Sequence, residues 1–153
     1  MTLRCDSPGF RNLPWGTHLC HLYATKQDLL ELAVPFIAAG LDERHLCLWG
    51  ITAPLSLEEA EQALRRSFPN VDACIAAGQL KLLGCEAVYL KDGRLRPWND
   101  LLDSWSALEA QAKDSGFEGI RAVGDTFWLH PNDWRAFNEY EQHVDVAPCA
   151  TSA

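Results

Sequence analysis

The chain is short of positive charge, of membrane-length apolar runs and of glycine in one decisive loop. Lysine and arginine number 13 against 21 aspartates and glutamates, a net charge of −8 over 153 residues. Such a surface repels phosphate backbones and anionic headgroups, which excludes direct nucleic-acid and membrane binding as its function. No apolar run reaches the roughly 20 residues that a membrane-spanning helix needs. The opening MTLRCDSPGF has no apolar region of a signal peptide, so a cytoplasmic location is expected. Six cysteines at 5, 20, 47, 74, 85 and 149 include no Cys-x-x-Cys pair. In a reducing compartment they are read as buried thiols acting as small hydrophobes.

Chemical signatures are missing as well. Phosphate-binding folds place a glycine-rich loop after their first strand, where backbone N–H groups cradle the anion. Here the equivalent stretch, Ala-Thr-Lys-Gln-Asp (24–28), has no glycine, and there is no G-x-G-x-x-G. A G-x-S-x-G elbow and an H-E-x-x-H helix are also lacking. No nucleophile–base pair is visible, so the chain is read as a non-enzyme with no cofactor.

What is present is a strand–helix alternation in a chain 48% hydrophobic, long enough for one domain with a real core. His-Leu-Cys-His-Leu-Tyr (18–23) reads as a first buried strand. Thr25 with Asp28 forms a capping box before a helix whose apolar face carries Leu29, Ala33, Phe36 and Ile37, with Gly40 as its stop. A second strand spans 45–52. Ser56 and Glu59 cap a helix to about Phe68, a short helix over 71–77 ends at Gly78, and a third strand covers 79–85. Lys-Asp-Gly-Arg (91–94) is a turn. A long helix over 98–113, a fourth strand over 120–125 and a last helix from Pro131 to His143 complete the pattern. Strands apolar on both sides, alternating with helices, predict an α/β fold: a mostly parallel sheet covered by helices on both faces. The expected organisation is an irregular lead-in over 1–14, a domain over 15–143 and a flexible tail or linker over 144–153.

Open parallel sheets bind ligands beyond the carboxyl ends of their strands. Those ends supply Tyr23, Thr52, Glu86 and Gly-Asp-Thr-Phe-Trp (124–128). Asp125 reads either as a ligand-facing carboxylate or as the cap of the next turn. Arg121 lies inside an apolar strand and needs a partner if buried, for which Asp125 on the same face is the plain choice. His18 and Cys20 share one strand face while His21 points away. A metal site would therefore need help from His45 or Cys47, and satisfied polar strand residues are the simpler alternative. Six tryptophans suit an aromatic-walled cavity, or plain core.

The order of GTHLCHLY (16–23), VPFIAAGLDERHLCLW (34–49), AAGQLKLL (76–83), VYLKDGRL (88–95), GFEGIRAVGDTFW (116–128) and YE (140–141) resembles the MEDS domain, the methanogen/methylotroph sensory domain typified by a regulator of dichloromethane dehalogenase expression. The resemblance covers about residues 15–143. It implies a RecA/KaiC-like core without a functional phosphate loop. It also implies a sensor of small hydrocarbon derivatives that signals to a transcriptional or kinase output module; a homodimer is a separate expectation for its partners. Carried over by position, the family's recurrent polar residues fall on His18, Tyr23, Tyr89, Arg121, Asp125, Trp128 and Glu141; Cys20 joins them from its place beside His18. Thr126 stands where the family usually has Met, which could reshape the pocket wall. The rival readings are a protein-interaction scaffold on a degenerate ATPase-like fold and a His18/Cys20 metal or redox sensor.

Overall fold

Leu-Cys-Leu-Trp-Gly-Ile is apolar on both faces, and in the computed structural model, which describes residues 10–146, it forms the central strand β1 (Leu46–Ile51), buried at every position. It is flanked by β2 (Leu80–Gly84) and β5 (Ile120–Val123), giving a three-stranded parallel sheet of order β2-β1-β5. The register pairs Cys47 with Leu80 on one side and with Arg121 on the other. Parallel neighbours require long crossovers, and helices supply them. α1 (Lys26–Asp42), α2 (Leu57–Ser67) and α3 (Val71–Ala76) pack over Cys47, Trp49 and Ile51 to make the main core. On the other face lies α5 (Trp98–Asp114), whose Gln111 accepts a hydrogen bond from Lys81 of β2. α6 (Trp134–Val146) lies beside α5, with the Trp105 indole N–H donating to the Tyr140 hydroxyl at 2.8 Å and Trp98 stacked on His143. The α/β architecture with helices on both faces is as the alternation predicts.

Local chemistry sets the boundaries. Both predicted capping boxes form, Thr25 with Asp28 and Ser56 with Glu59, each side chain bonding the other's backbone N–H. A short helix α4 (Cys85–Tyr89) follows β2 directly. It leads into a hairpin, β3 (Leu90–Lys91) and β4 (Arg94–Leu95). Asp92 and Gly93 at its tip both have positive φ, the requirement of a type I′ turn.

Two expectations fail. Residues 18–23 form no strand: Leu19 is 55% and Leu22 90% exposed, and no ladder joins this stretch to the sheet. Apolar alternation marks a chain able to pair, but pairing also needs a neighbour's free edge at hydrogen-bonding distance. Gly40 does not end α1, which continues to Asp42. Its role is space, since a Cβ there would lie 2.7 Å from Arg121 Cδ and 2.8 Å from Cys47 Sγ. The last helix runs to Val146. Residues 1–9 and 147–153, parts of the expected lead-in and tail, lie outside the described residues.

The rest of the lead-in carries no strand or α-helix yet is tied down. Arg11 pairs with Asp42 at 2.6 Å, the Asn12 N–H donates to Glu43, and the Trp15 ring packs on Gly119 and His45.

Candidate functional site

At the carboxyl ends of the strands, the chain turns out of β5 through Gly124 and Asp125. Asp125 Oδ1 accepts from the Phe127 N–H at 3.0 Å, and its carbonyl accepts the Trp128 indole N–H at 2.6 Å. The carboxylate therefore does cap its own turn, and the turn aims Trp128 inward. Burial raises the Asp125 carboxyl above the ordinary range, and only the Phe127 amide counters this. The Cys85 thiol, at the end of β2, reaches the Asp125 carbonyl at 3.6 Å, and burial pushes it up to about 12. Gly50 of β1 makes room for it, since a Cβ there would stand 3.0 Å from the sulfur. Tyr23 arrives just before the Thr25 cap. Its phenol is raised by partial burial first and then by the Asp125 and Cys85 charges.

An aromatic wall continues from this turn. Trp128 stacks on Tyr89 of α4 with centroids 4.9 Å apart and planes 11° off parallel. Tyr89 in turn meets Phe137 and Tyr140 of α6 edge-on. Burial raises the Tyr89 phenol well above its usual value, with the nearby Tyr140 and Glu141 adding to the effect. Glu141 is raised by burial and pulled back by His18, whose Nε2 lies 3.2 Å from its carboxylate. The other ring nitrogen of His18 faces Asp145 at 3.3 Å. Tyr23, Asp125, Trp128, Tyr89, Glu141 and His18 thus follow one another along a single arc, from the sheet end to α6.

Arg121 and Cys20 stand apart from it. Arg121 does not pair with Asp125, because β5 ends at Val123 and the arginine leans toward the amino ends of the strands. Its guanidinium pairs with Glu43 at 2.8 Å, donates to the Phe10 and Phe36 carbonyls and lies over the Phe36 ring. Cys20 is exposed, and the His45 and Cys47 that a metal site would have needed sit in the sheet's buried lower half. Among the described residues no group of three or more His, Cys, Asp or Glu side chains is placed to hold a metal ion. A shallow cleft of about 360 Å³ also lies at the amino ends, lined by Trp15, Glu43, His45 and Glu118 among others. It shares no residue with the arc, and the candidate site is taken at the arc because polar and aromatic side chains gather there, at the strand ends where sheets of this class hold ligands.

The glycine-free loop has a definite structure. Asp28 Oδ2 accepts the Ala24 and Thr25 N–H groups, so a carboxylate of the chain occupies the amides at the start of α1. The Thr25 side chain first, and then those two amides, hold the Asp28 carboxyl below its usual range. Lys26 is paired with Glu59 of α2 at 2.7 Å.

Residues 17–151 match the model of the MEDS family, the methanogen/methylotroph, DcmR sensory domain. The chain belongs to the MEDS family. A relative, the transcriptional repressor DcmR of Methylorubrum extorquens (strain DSM 6343 / CIP 106787 / DM4), is 26% identical over 134 residues. The alignment covers 88% of this chain and 47% of the relative, so the chain spans about half the length of that protein. No solved structure matches the MEDS chain. Among the described residues no helix is long and apolar enough to cross a membrane.

Sequence reasoning missed three residues that pack against the arc: Cys85, Phe137 and Tyr140. Cys85 was legible only as one more apolar thiol. Phe137 and Tyr140 are three residues apart on α6, a helical spacing that could have flagged a shared aromatic face.

Proposed function

We propose that this MEDS domain is a cytoplasmic, non-enzymatic sensor. It binds a small, weakly polar molecule at the carboxyl ends of its strands and signals occupancy to a transcriptional or kinase output module. The observation that carries the reading is the arc itself: a half-buried carboxylate with a raised pKa beside stacked Tyr89 and Trp128. Aromatic surface with a few convergent polar groups is the usual composition of a small-molecule site. Small hydrocarbon derivatives are the ligand class, His18 and Glu141 form its polar far end, and no cofactor is required. Cys20, exposed nearby in sequence, and Arg121, buried below, act as rim and support. The family membership and the repressor relative support a regulatory output. A RecA/KaiC-like ancestry is part of the proposal. It is supported by the parallel sheet and by a first helix start that Asp28 has taken over.

The test is tryptophan-fluorescence titration with small halogenated and oxygenated hydrocarbons, on the parent and on Trp128→Ala. Trp128 is only partly buried, against the smaller aromatic cluster. Saturable quenching in the parent, lost in a Trp128→Ala variant that still unfolds cooperatively, is expected. Absence of a saturable response in the parent, or a variant that does not fold, would remove Trp128 from the site. A scaffold role is the second reading, favoured by the exposure of Leu22, Phe127 and Trp134.

A further inference from the structure

Among the described residues, no backbone hydrogen bond ties residues 18–23 to the body of the domain. Before them Thr17 closes a turn on the Pro14 carbonyl through both its N–H and its hydroxyl. Gly16 within that turn has a φ of 81°, a value glycine adopts freely. After them Asp28 holds the Ala24 and Thr25 amides. Between these two anchors Leu19 is 55% and Leu22 90% exposed, and Cys20 and His21 are exposed as well.

Two side chains tie the stretch down. Tyr23 packs, partly buried, on the main core. His18 reaches α6, where Glu141 and Asp145 stand one helical turn apart on the same face. Its Nε2 lies 3.2 Å from Glu141 and its Nδ1 3.3 Å from Asp145. Both nitrogens donate only when the ring is doubly protonated. A neutral ring keeps one N–H and turns a lone pair toward the other carboxylate. The need is mutual. Burial raises the Glu141 carboxyl, His18 counters this and Asp145 adds to it, so without the cation two acids a turn apart repel. Beyond Glu141 stand Tyr89 of α4 and Tyr140 of α6, whose phenols feel its charge. The other ionisable groups of the stretch answer to different partners: His21 acts on Asp28, and Tyr23 feels Asp125 and Cys85. The His18 and Glu141 side chains are 36% and 35% exposed, and ion pairs this open to water are weak enough to part.

We propose that residues 18–23 are a strap that lifts from α6 as a unit while the body of the domain stays folded, with His18, clasped between Glu141 and Asp145, as its fastening. Fastened, the strap brings two members of the arc, Tyr23 and His18, to it. Lifted, it takes His18 away and leaves Glu141 without its cation. The clasp is complete while an imidazolium meets two carboxylates. It fails as pH rises and the ring loses a proton, and again in acid as the carboxylates gain theirs. How the strap is fastened does not depend on what the arc binds, so the inference stands apart from the ligand reading.

A spin label on Cys20, read by electron paramagnetic resonance, is the test. Cys47, Cys74 and Cys85 are buried, and with Cys5 and Cys149 replaced by serine the label has one site. In the full 153-residue chain at about pH 6 the label should be held, tumbling with the domain. Raising the pH to about 8.5, or His18→Ala at the lower pH, should release it to the nanosecond motion of an exposed loop. The melting temperature of the body should move by only a few degrees in either case, and in His18→Ala the pH dependence should vanish. Should that variant not fold, Glu141→Gln with Asp145→Asn undoes the clasp from the other side and should free the label equally. A label already free in the parent at the lower pH overturns the inference. So does one that stays held under every condition, one that loosens with pH equally in His18→Ala, or one that loosens only as the body unfolds.

Discussion

Asp125, the carboxylate of the proposed site, sets stability against charge. Its folded-state pKa is raised by burial, so the folded protein holds the proton more tightly than the unfolded chain does. The protonated form's contribution is complete below the ordinary carboxylate pKa of about 3.9 and is lost as pH rises through the folded value. At neutral pH the ionised group therefore works against the fold. Asp125→Asn keeps an acceptor for the Phe127 amide and removes the charge. Thermal unfolding across pH should show the variant melting above the parent at pH 7, with the gap closing below about pH 4. Its ligand response should weaken. Equal melting temperatures at all pH values would mean that water still reaches the carboxylate.

At the scale of the element, the helices were the more legible part. Thr25 with Asp28 and Ser56 with Glu59 announced two helix starts because a capping box is local chemistry, complete within four residues. Asp-Gly at 92–93 announced its turn for the same reason. What was not legible depended on contacts distant in sequence. Gly40 reads as a helix stop until Arg121, 81 positions later, is seen to cross it. Arg121 likewise reads as Asp125's partner until Glu43 is found closer. In the candidate site, the Gly124–Trp128 segment could be placed at a strand end from pattern alone. The link from Trp128 through Tyr89 to α6 could not, because it joins three elements. Gly40→Ala tests the packing reading. Overpacking against Arg121 and Cys47 should cost about 1–3 kcal/mol in denaturant unfolding, where Gly→Ala inside a helix ordinarily gains up to about 1 kcal/mol. A stabilised variant would show that the contact relaxes freely.

For the whole molecule, acidity and the occupied helix start act together. Net charge −8 disfavours a polyanionic ligand anywhere on the surface. At the helix start where phosphate-binding sheets hold their anion, Asp28 already takes the amides and Glu59 takes Lys26. Calorimetric titration should therefore find ATP and GTP binding no tighter than about millimolar, roughly 4 kcal/mol of binding free energy. Micromolar affinity would require α1 to surrender its own cap.

The contacts of Phe10, Arg11, Asn12 and Trp15 also bear on where this domain begins. Kinship with the MEDS family starts at residue 17, but cohesion starts earlier. A chain begun at Thr17 would keep every matched residue and still take the Phe10 carbonyl from the buried Arg121 and the indole from above His45 and Gly119. Water would then reach an arginine now 6% exposed. Such a chain should melt several degrees below one that retains residues 10–16, as thermal unfolding of the two would show. A boundary inherited by descent and a boundary set by adhesion differ here by one short, easily discarded segment.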